Sequence, residues 1–177
     1  MATEDNFWTV WGGAEGTTPA PIAEWKFEFK APIESYPDVD FLPNSVSYIY
    51  STLQGEMTLY SRLQLQSHAD DEEFVISTIL LGVVPDCAEM LFLFDADRGA
   101  VLFLDLTDGI PELVNSSLRS FVEFLYRFAI FVEGDQGKSS RADRARELRA
   151  ILAEIDGEAF DDPMSWWSLT FQELERA

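Results

Sequence analysis

The sequence predicts an α+β domain, a mostly antiparallel β-sheet with helices packed on it, and three observations carry that expectation. First, Met90-Leu91-Phe92-Leu93-Phe94 and the run Ala100 to Leu106 flank Asp95-Ala96-Asp97-Arg98-Gly99, where Gly99 supplies the positive φ that closes a tight hairpin. Second, Leu118, Phe121, Val122, Leu125, Phe128 and Ala129 recur at helical spacing, which gives the following helix one apolar face. Asn115, Ser116 or Ser117 is placed to cap it by accepting bonds from its free amides. Third, Phe74 to Leu81 is almost wholly apolar, as a central strand covered on both faces should be. Sheet and helix therefore have each other to bury against.

Length and composition bound the rest. A chain of 177 residues is one domain with room for a sizeable core. Its 32 acidic and 12 basic side chains leave a net charge of −20. Such a charge argues against nucleic acid or an anionic membrane as a direct partner, and favours fast association with a basic one. Cys87 is the only cysteine, so neither an internal disulfide nor a cysteine-rich zinc site can form. No apolar run approaches the ~18 residues that span a bilayer, and the acidic start Met1-Ala2-Thr3-Glu4-Asp5 lacks the basic region of a signal peptide. The expectation is a soluble, cytoplasmic protein; its oligomeric state is left open.

In chain order, Gly12-Gly13, Gly16 and Pro19-Ala20-Pro21 make residues 1–21 read as a flexible N-terminal arm, with the domain proper at 22–177. Trp8 and Trp11 imply that this arm docks somewhere. Trp25, Phe27 and Phe29 alternate with Lys26, Glu28 and Lys30, the period of a half-buried strand, with a short helix as the other reading. Pro32, Pro37 and Pro43 interrupt regular structure. Ser45 to Leu53 fits either a helix packing Val46, Ile49, Tyr50 and Leu53 or a strand. Met57 to Gln66 alternates as a strand, with Leu59, Ser61, Leu63 and Leu65 on one face, and His68 to Glu73 reads as a charged loop. A later helix from about Ser140 to Ile155 buries Ala145, Leu148, Ile151, Leu152 and Ile155. Its outer row of Arg141, Arg144, Arg146 and Arg149 is expected to pair with Asp143, Glu147 and acidic neighbours. Asp161 or Asp162 caps the last helix, Pro163 sits in its first turn, and Trp166, Trp167, Leu169, Phe171 and Leu174 pack it.

Candidate chemistry is thin. His68, the only histidine, stands beside Asp70-Asp71-Glu72-Glu73, but a zinc site needs several converging nitrogen or sulfur ligands. Asp95-x-Asp97-x-Gly99 begins like a calcium loop, yet its glycine is fifth rather than sixth and Leu106 takes the place of the twelfth-position glutamate. A serine triad would have to use His68, and no Gly-x-Ser-x-Gly elbow occurs. Cys87 reads as a small buried thiol, and no phosphate-cradling glycine loop is present. The expectation is no catalytic residue, no metal and no cofactor.

The stretch Leu113-Val114-Asn115-Ser116-Ser117-Leu118-x-x-Phe121-Val122-x-x-Leu125, preceded by the two strands and their turn, resembles the SUKH (Smi1/Knr4-like) superfamily, and within it the SUKH-4 immunity family. Leu148-x-x-x-Leu152-x-x-Ile155-Asp156 and Trp166-Trp167 before a final helix are similar to that family's C-terminal pattern, so the resemblance covers roughly residues 74–175. Upstream, Phe41-Leu42-Pro43 resembles the family's short Leu-Pro segment, and the family pattern favours helix for 45–53. The resemblance implies an immunity protein of a bacterial polymorphic toxin system, which binds and blocks a cognate protein toxin, often a nuclease or nucleic-acid deaminase. The alternative is a regulatory or scaffold domain of the same superfamily without a toxin partner; a hydrolase built on His68 is a third and weaker reading. The densest acidic run, Asp70, Asp71, Glu72 and Glu73, is the expected partner-binding site, followed by the surface at Trp166 and Trp167 and by the arginine helix.

Overall fold

A computed structural model describes residues 3–52, 57–69, 72–135 and 137–176, with the backbone alone for 67–69, 72–74, 138 and 139. The chain runs α1 (Glu4–Val10), α2 (Gly13–Gly16), β1 (Thr17–Pro19), α3 (Ile22–Glu28), β2 (Phe41–Pro43), β3 (Ser45–Val46), β4 (Tyr50–Ser51) and β5 (Arg62–Ala69). It continues through β6 (Glu72–Val84), β7 (Cys87–Asp95), β8 (Val101–Asp105), β9 (Pro111–Asn115), α4 (Leu118–Glu133), α5 (Lys138–Ile155) and α6 (Trp166–Arg176). The main sheet has the order β3-β4-β6-β7-β8-β9, β5 lies along β6, and β1 pairs with β2 separately. Every strand pair is antiparallel. The architecture is α+β, as the sequence predicts.

Alternation along the strands sorts the side chains onto two faces. Phe92, Phe94 and Val101 join the large core under the helices, whereas Leu91, Leu93 and Leu104 join Leu80 and Val83 in a second, smaller cluster on the other face. In β6, Ile79 and Leu81 belong to the first cluster and Leu80 and Val83 to the second, so the strand is buried on both faces from Thr78 to Val84, whereas Val75 is 54% exposed where β6 runs past β7. A register shift between Leu80 and Gly82 bulges Leu81 out of step with β7. The Tyr50 hydroxyl donates to the Leu81 carbonyl at 2.7 Å. A Cβ on Gly82 would stand 2.5 Å from the Ser51 carbonyl oxygen, so β4 lies directly against bare backbone there.

That contact explains one correction. Residues 45–52 do not form a helix, and Leu53 lies outside the described residues; β3 and β4 make a tight hairpin in which Val46 faces Tyr50 and Ser47 takes a φ of 47°. Val46, Ile49 and Tyr50 are buried all the same, because apolar pattern specifies burial more firmly than it specifies the backbone that delivers it. At 22–28 the helical reading is the one adopted: α3 buries Ile22 and Trp25, Trp25 stacks on Phe94 at 5.9 Å, and Phe27 is 94% exposed. The strand expected from Met57 starts only at Arg62, because Tyr60 has a φ of 61°. The charged loop expected over His68 to Glu73 is shorter too, since His68 pairs with Glu73 and Ala69 with Glu72 in the β5–β6 ladder.

Leu118, Phe121, Val122, Leu125 and Phe128 of α4 are all buried, and Phe124 and Phe131 extend that burial round the helix. The Ser117 side chain caps α4 by accepting from the Ser120 amide. Residues that composition reads as an arm carry α1, α2 and β1; Phe7 is buried with its ring 4.8 Å from Tyr126 of α4, and Trp11 is buried beside Phe41. Two further details differ from expectation. Ile151 and Ile155 of α5 are 42% and 38% exposed, because the helix leans on Ala145, Leu148 and Leu152 alone. The α6 cap is Ser165, whose carbonyl accepts from Leu169, while Asp162 accepts from the Met164 amide in a preceding turn that holds Pro163 outside the helix.

Candidate interaction surface

The residues that carry the family resemblance come together in the interior. Asp156 at the end of α5 is 5% exposed, and its Oδ2 accepts from Asn115 Nδ2 (3.0 Å), the Ser116 amide (2.8 Å) and Ser120 Oγ (2.7 Å). Asn115 Oδ1 in turn accepts from Trp167 Nε1 at 3.0 Å. One carboxylate thus ties the end of β9, the first turn of α4, the end of α5 and the start of α6, satisfying donors that would otherwise be buried unpaired. These groups hold the helical layer on the sheet. Their hydrogen-bonding capacity is turned inward, which leaves Asn115, Ser120 and Trp167 little to offer a ligand.

The expected site falls partly outside the described residues: Asp70 and Asp71 lie there, while Glu72 and Glu73 begin β6 opposite Ala69 and His68. Cys87 is exposed rather than buried, since it opens β7 just past the turn at Asp86. Among the described residues, no three histidine, cysteine or acidic side chains are grouped as a metal ion would require. The arginine row is engaged within the molecule. Arg141 pairs with Asp135 at 2.6 Å, Arg146 with Asp143 at 2.5 Å and Arg149 with Glu175 at 3.5 Å. Arg144 donates to the Phe131 and Gly134 carbonyls, both at 2.8 Å. The Arg141 hydrogen bond, helped by the Gly137 amide, holds the Asp135 carboxyl below the usual carboxylate range.

Two surface features were not legible in the sequence. The first is a groove of about 330 Å³ between the end of α3, the start of β5 and the β7–β8 turn, with Phe29, Leu63 and Ile79 among its lining residues. Arg62 lies over the Phe29 ring at 5.4 Å and pairs with Glu28 at 2.5 Å, and Lys30 pairs with Asp97 at 3.5 Å across the other rim. The second is a groove of about 320 Å³ between α4 and α5, where Ile130 and Ile151 are exposed between Arg127 and Arg144. Charge is distributed unevenly along the chain: residues 1–117 hold 20 acidic and four basic side chains, residues 118–177 twelve and eight. The sheet and N-terminal part of the chain therefore carry −16 of the net charge, and the helical part −4.

Fold and surface define an α+β domain whose buried polar residues serve its own architecture. A model of the SUKH-4 immunity protein family matches residues 61–173, and the chain belongs to that family. No curated protein and no solved structure matches the chain. The matched span opens one residue before β5 and closes inside α6, so the Asp156 cluster and the first groove's β5 and β6 walls both lie within it. No helix among the described residues is long and apolar enough to cross a membrane.

Proposed function

We propose that this protein is a cytoplasmic, non-enzymatic immunity protein that binds and neutralises a cognate toxin acting on nucleic acid, a nuclease or a deaminase, through its acidic surface. Family membership supports toxin binding, and the concentration of −16 within residues 1–117 supports a basic partner. A toxin that holds a phosphate backbone must present a basic cleft. An acidic protein is steered to such a cleft at long range and occupies it in place of the substrate. In this reading residues 22–177 are the binding domain, residues 1–21 an accessory arm, and Asp70, Asp71, Glu72 and Glu73 speed docking more than they hold the complex.

Stopped-flow association with the toxin domain encoded beside this chain's gene, at two ionic strengths, tests the reading. Replacing Asp70 and Asp71 by Asn and Glu72 and Glu73 by Gln should slow association and flatten its salt dependence, with a smaller effect on dissociation. Equal association rates for the wild type and the fourfold variant would move the electrostatic footprint elsewhere.

A further inference from the structure

The outer edge of β5 has no described strand neighbour along its length. β5 pairs with β6 alone, and β7 pairs with β6 only from Thr78 onward, so the β5–β6 hairpin extends past the rest of the sheet. Long open edges are usually blunted by proline, charge or brevity. β9 is short, starts with Pro111, and passes directly into Ser116, whose amide is taken by Asp156. β3 is two residues long. Between Arg62 and Gln66, β5 has no proline and one charged side chain, Arg62, which is drawn aside to Glu28. The Leu80 amide donates to the Ser61 carbonyl, and the Thr78 hydroxyl to that of Leu63. Antiparallel alternation then turns the amides and carbonyls of Arg62, Gln64 and Gln66 away from β6, outward along the edge.

Beside this edge lies the first groove, into whose wall Arg62 and Gln64 both enter. Next to Glu28, the residue that draws Arg62 aside, stands Phe27 with 94% of its surface exposed. A fully exposed phenylalanine contributes nothing to the core, yet aromatic side chains are prominent among the anchors of protein interfaces. A strand laid along β5 would send alternate side chains toward the groove and Phe27, and the remainder along the Leu63–Leu65 row. The charge settles which occupant fits. Two copies of this chain would each bring −20 to the contact, whereas a segment rich in Lys or Arg is drawn in by that overall charge and meets a groove whose own charges, Glu28 and Asp97 against Arg62 and Lys30, are balanced.

We infer that the toxin is captured by strand addition: an extended basic segment of it pairs with the open edge of β5, with Phe27 and the adjoining groove as side-chain anchors. The inference rests on the immunity reading above. Its test uses the full chain and the purified, catalytically inactivated toxin domain encoded beside it. In the free protein the Gln64 and Gln66 amides should exchange rapidly with solvent; in the complex both should slow by at least roughly tenfold, while exposed amides of α5 do not. Gln64→Pro removes an outward donor without removing a bond to β6, and should weaken binding roughly tenfold or more. Gln64→Thr, which keeps the amide, should bind as the wild type does, and Phe27→Ala should weaken binding with unfolding unchanged. A complex that forms with both amides still exchanging freely overturns strand addition and leaves the immunity reading standing. No complex between the wild type and that toxin domain overturns both.

Discussion

At one edge of the sheet, β9, α4, α5 and α6 meet around Asp156, and three donors converge on a single buried oxygen. Toward the opposite edge, β5 presents outward backbone groups, with an aromatic ring in solvent and two ion pairs beside a groove. Both regions are rich in polar and aromatic groups, but water reaches only the second. A hydrogen bond shielded from water is expensive to lose, whereas groups already solvated cost little to rearrange. The Asp156 side should therefore decide whether the protein folds, and the β5 side what it meets.

The largest effect is expected in α4. Phe121 is fully buried between Tyr50 and Phe92, so Phe121→Ala should cost about 3–5 kcal/mol of unfolding free energy in a urea titration, and Leu125→Ala about 2–5 kcal/mol. A midpoint equal to that of the wild type would mean that the helix does not bury this face. Asp156→Ala comes next: it leaves Asn115 Nδ2 and the Ser116 amide without their acceptor, at about 1–3 kcal/mol per buried orphan, while Ser120 Oγ keeps the Ser117 carbonyl at 2.9 Å. Indole fluorescence of Trp167 should change with it, since its Asn115 partner is released. If the variant unfolds like the wild type, Asp156 is an incidental neighbour of these donors.

Smaller effects sharpen the contrast. The Asp135 carboxyl is held below its ordinary value in the fold, so the stability it contributes is complete above the unfolded carboxylate pKa of about 3.9 and disappears as pH falls through the lowered value. Asp135→Asn should remove that contribution: the difference between wild type and variant should be largest near neutral pH and close below pH ~4. A difference that persists undiminished into strong acid would assign the effect to packing. Phe27→Ala should change the unfolding midpoint least, by under about 0.5 kcal/mol, because the ring is in solvent already. A larger loss would mean that Phe27 is part of the fold, and would remove it as an anchor.

Wherever contacts are close along the chain, local residue pattern is enough to dictate the architecture. The β7–β8 hairpin closes with Gly99 at a φ of 85°, Asp95 accepts from the Asp97 and Arg98 amides in its turn, and Ser117 caps a helix whose apolar spacing is readable by eye. The strands and helix that follow one another there also pack on one another. The resemblance rests on that same stretch, and the family match extends over it. Elsewhere tertiary contacts decided. Residues 25–30 alternate like a strand, but Ile22–Glu28 coil as α3, because burying Trp25 on Phe94 does not require burying Phe27. Residues 45–53 suit a helix by pattern, but the bare backbone of Gly82 gives β4 a place in the sheet. Asp156 reads in sequence as one acidic residue among 32; its partners stand 36 to 41 positions away, and no local pattern records such distances. The candidate docking surface was less legible still. The run Asp70 to Glu73 is conspicuous in sequence, whereas the open edge of β5 exists only because β6 is its one described strand partner, and a strand's unpaired side leaves no mark on its residues.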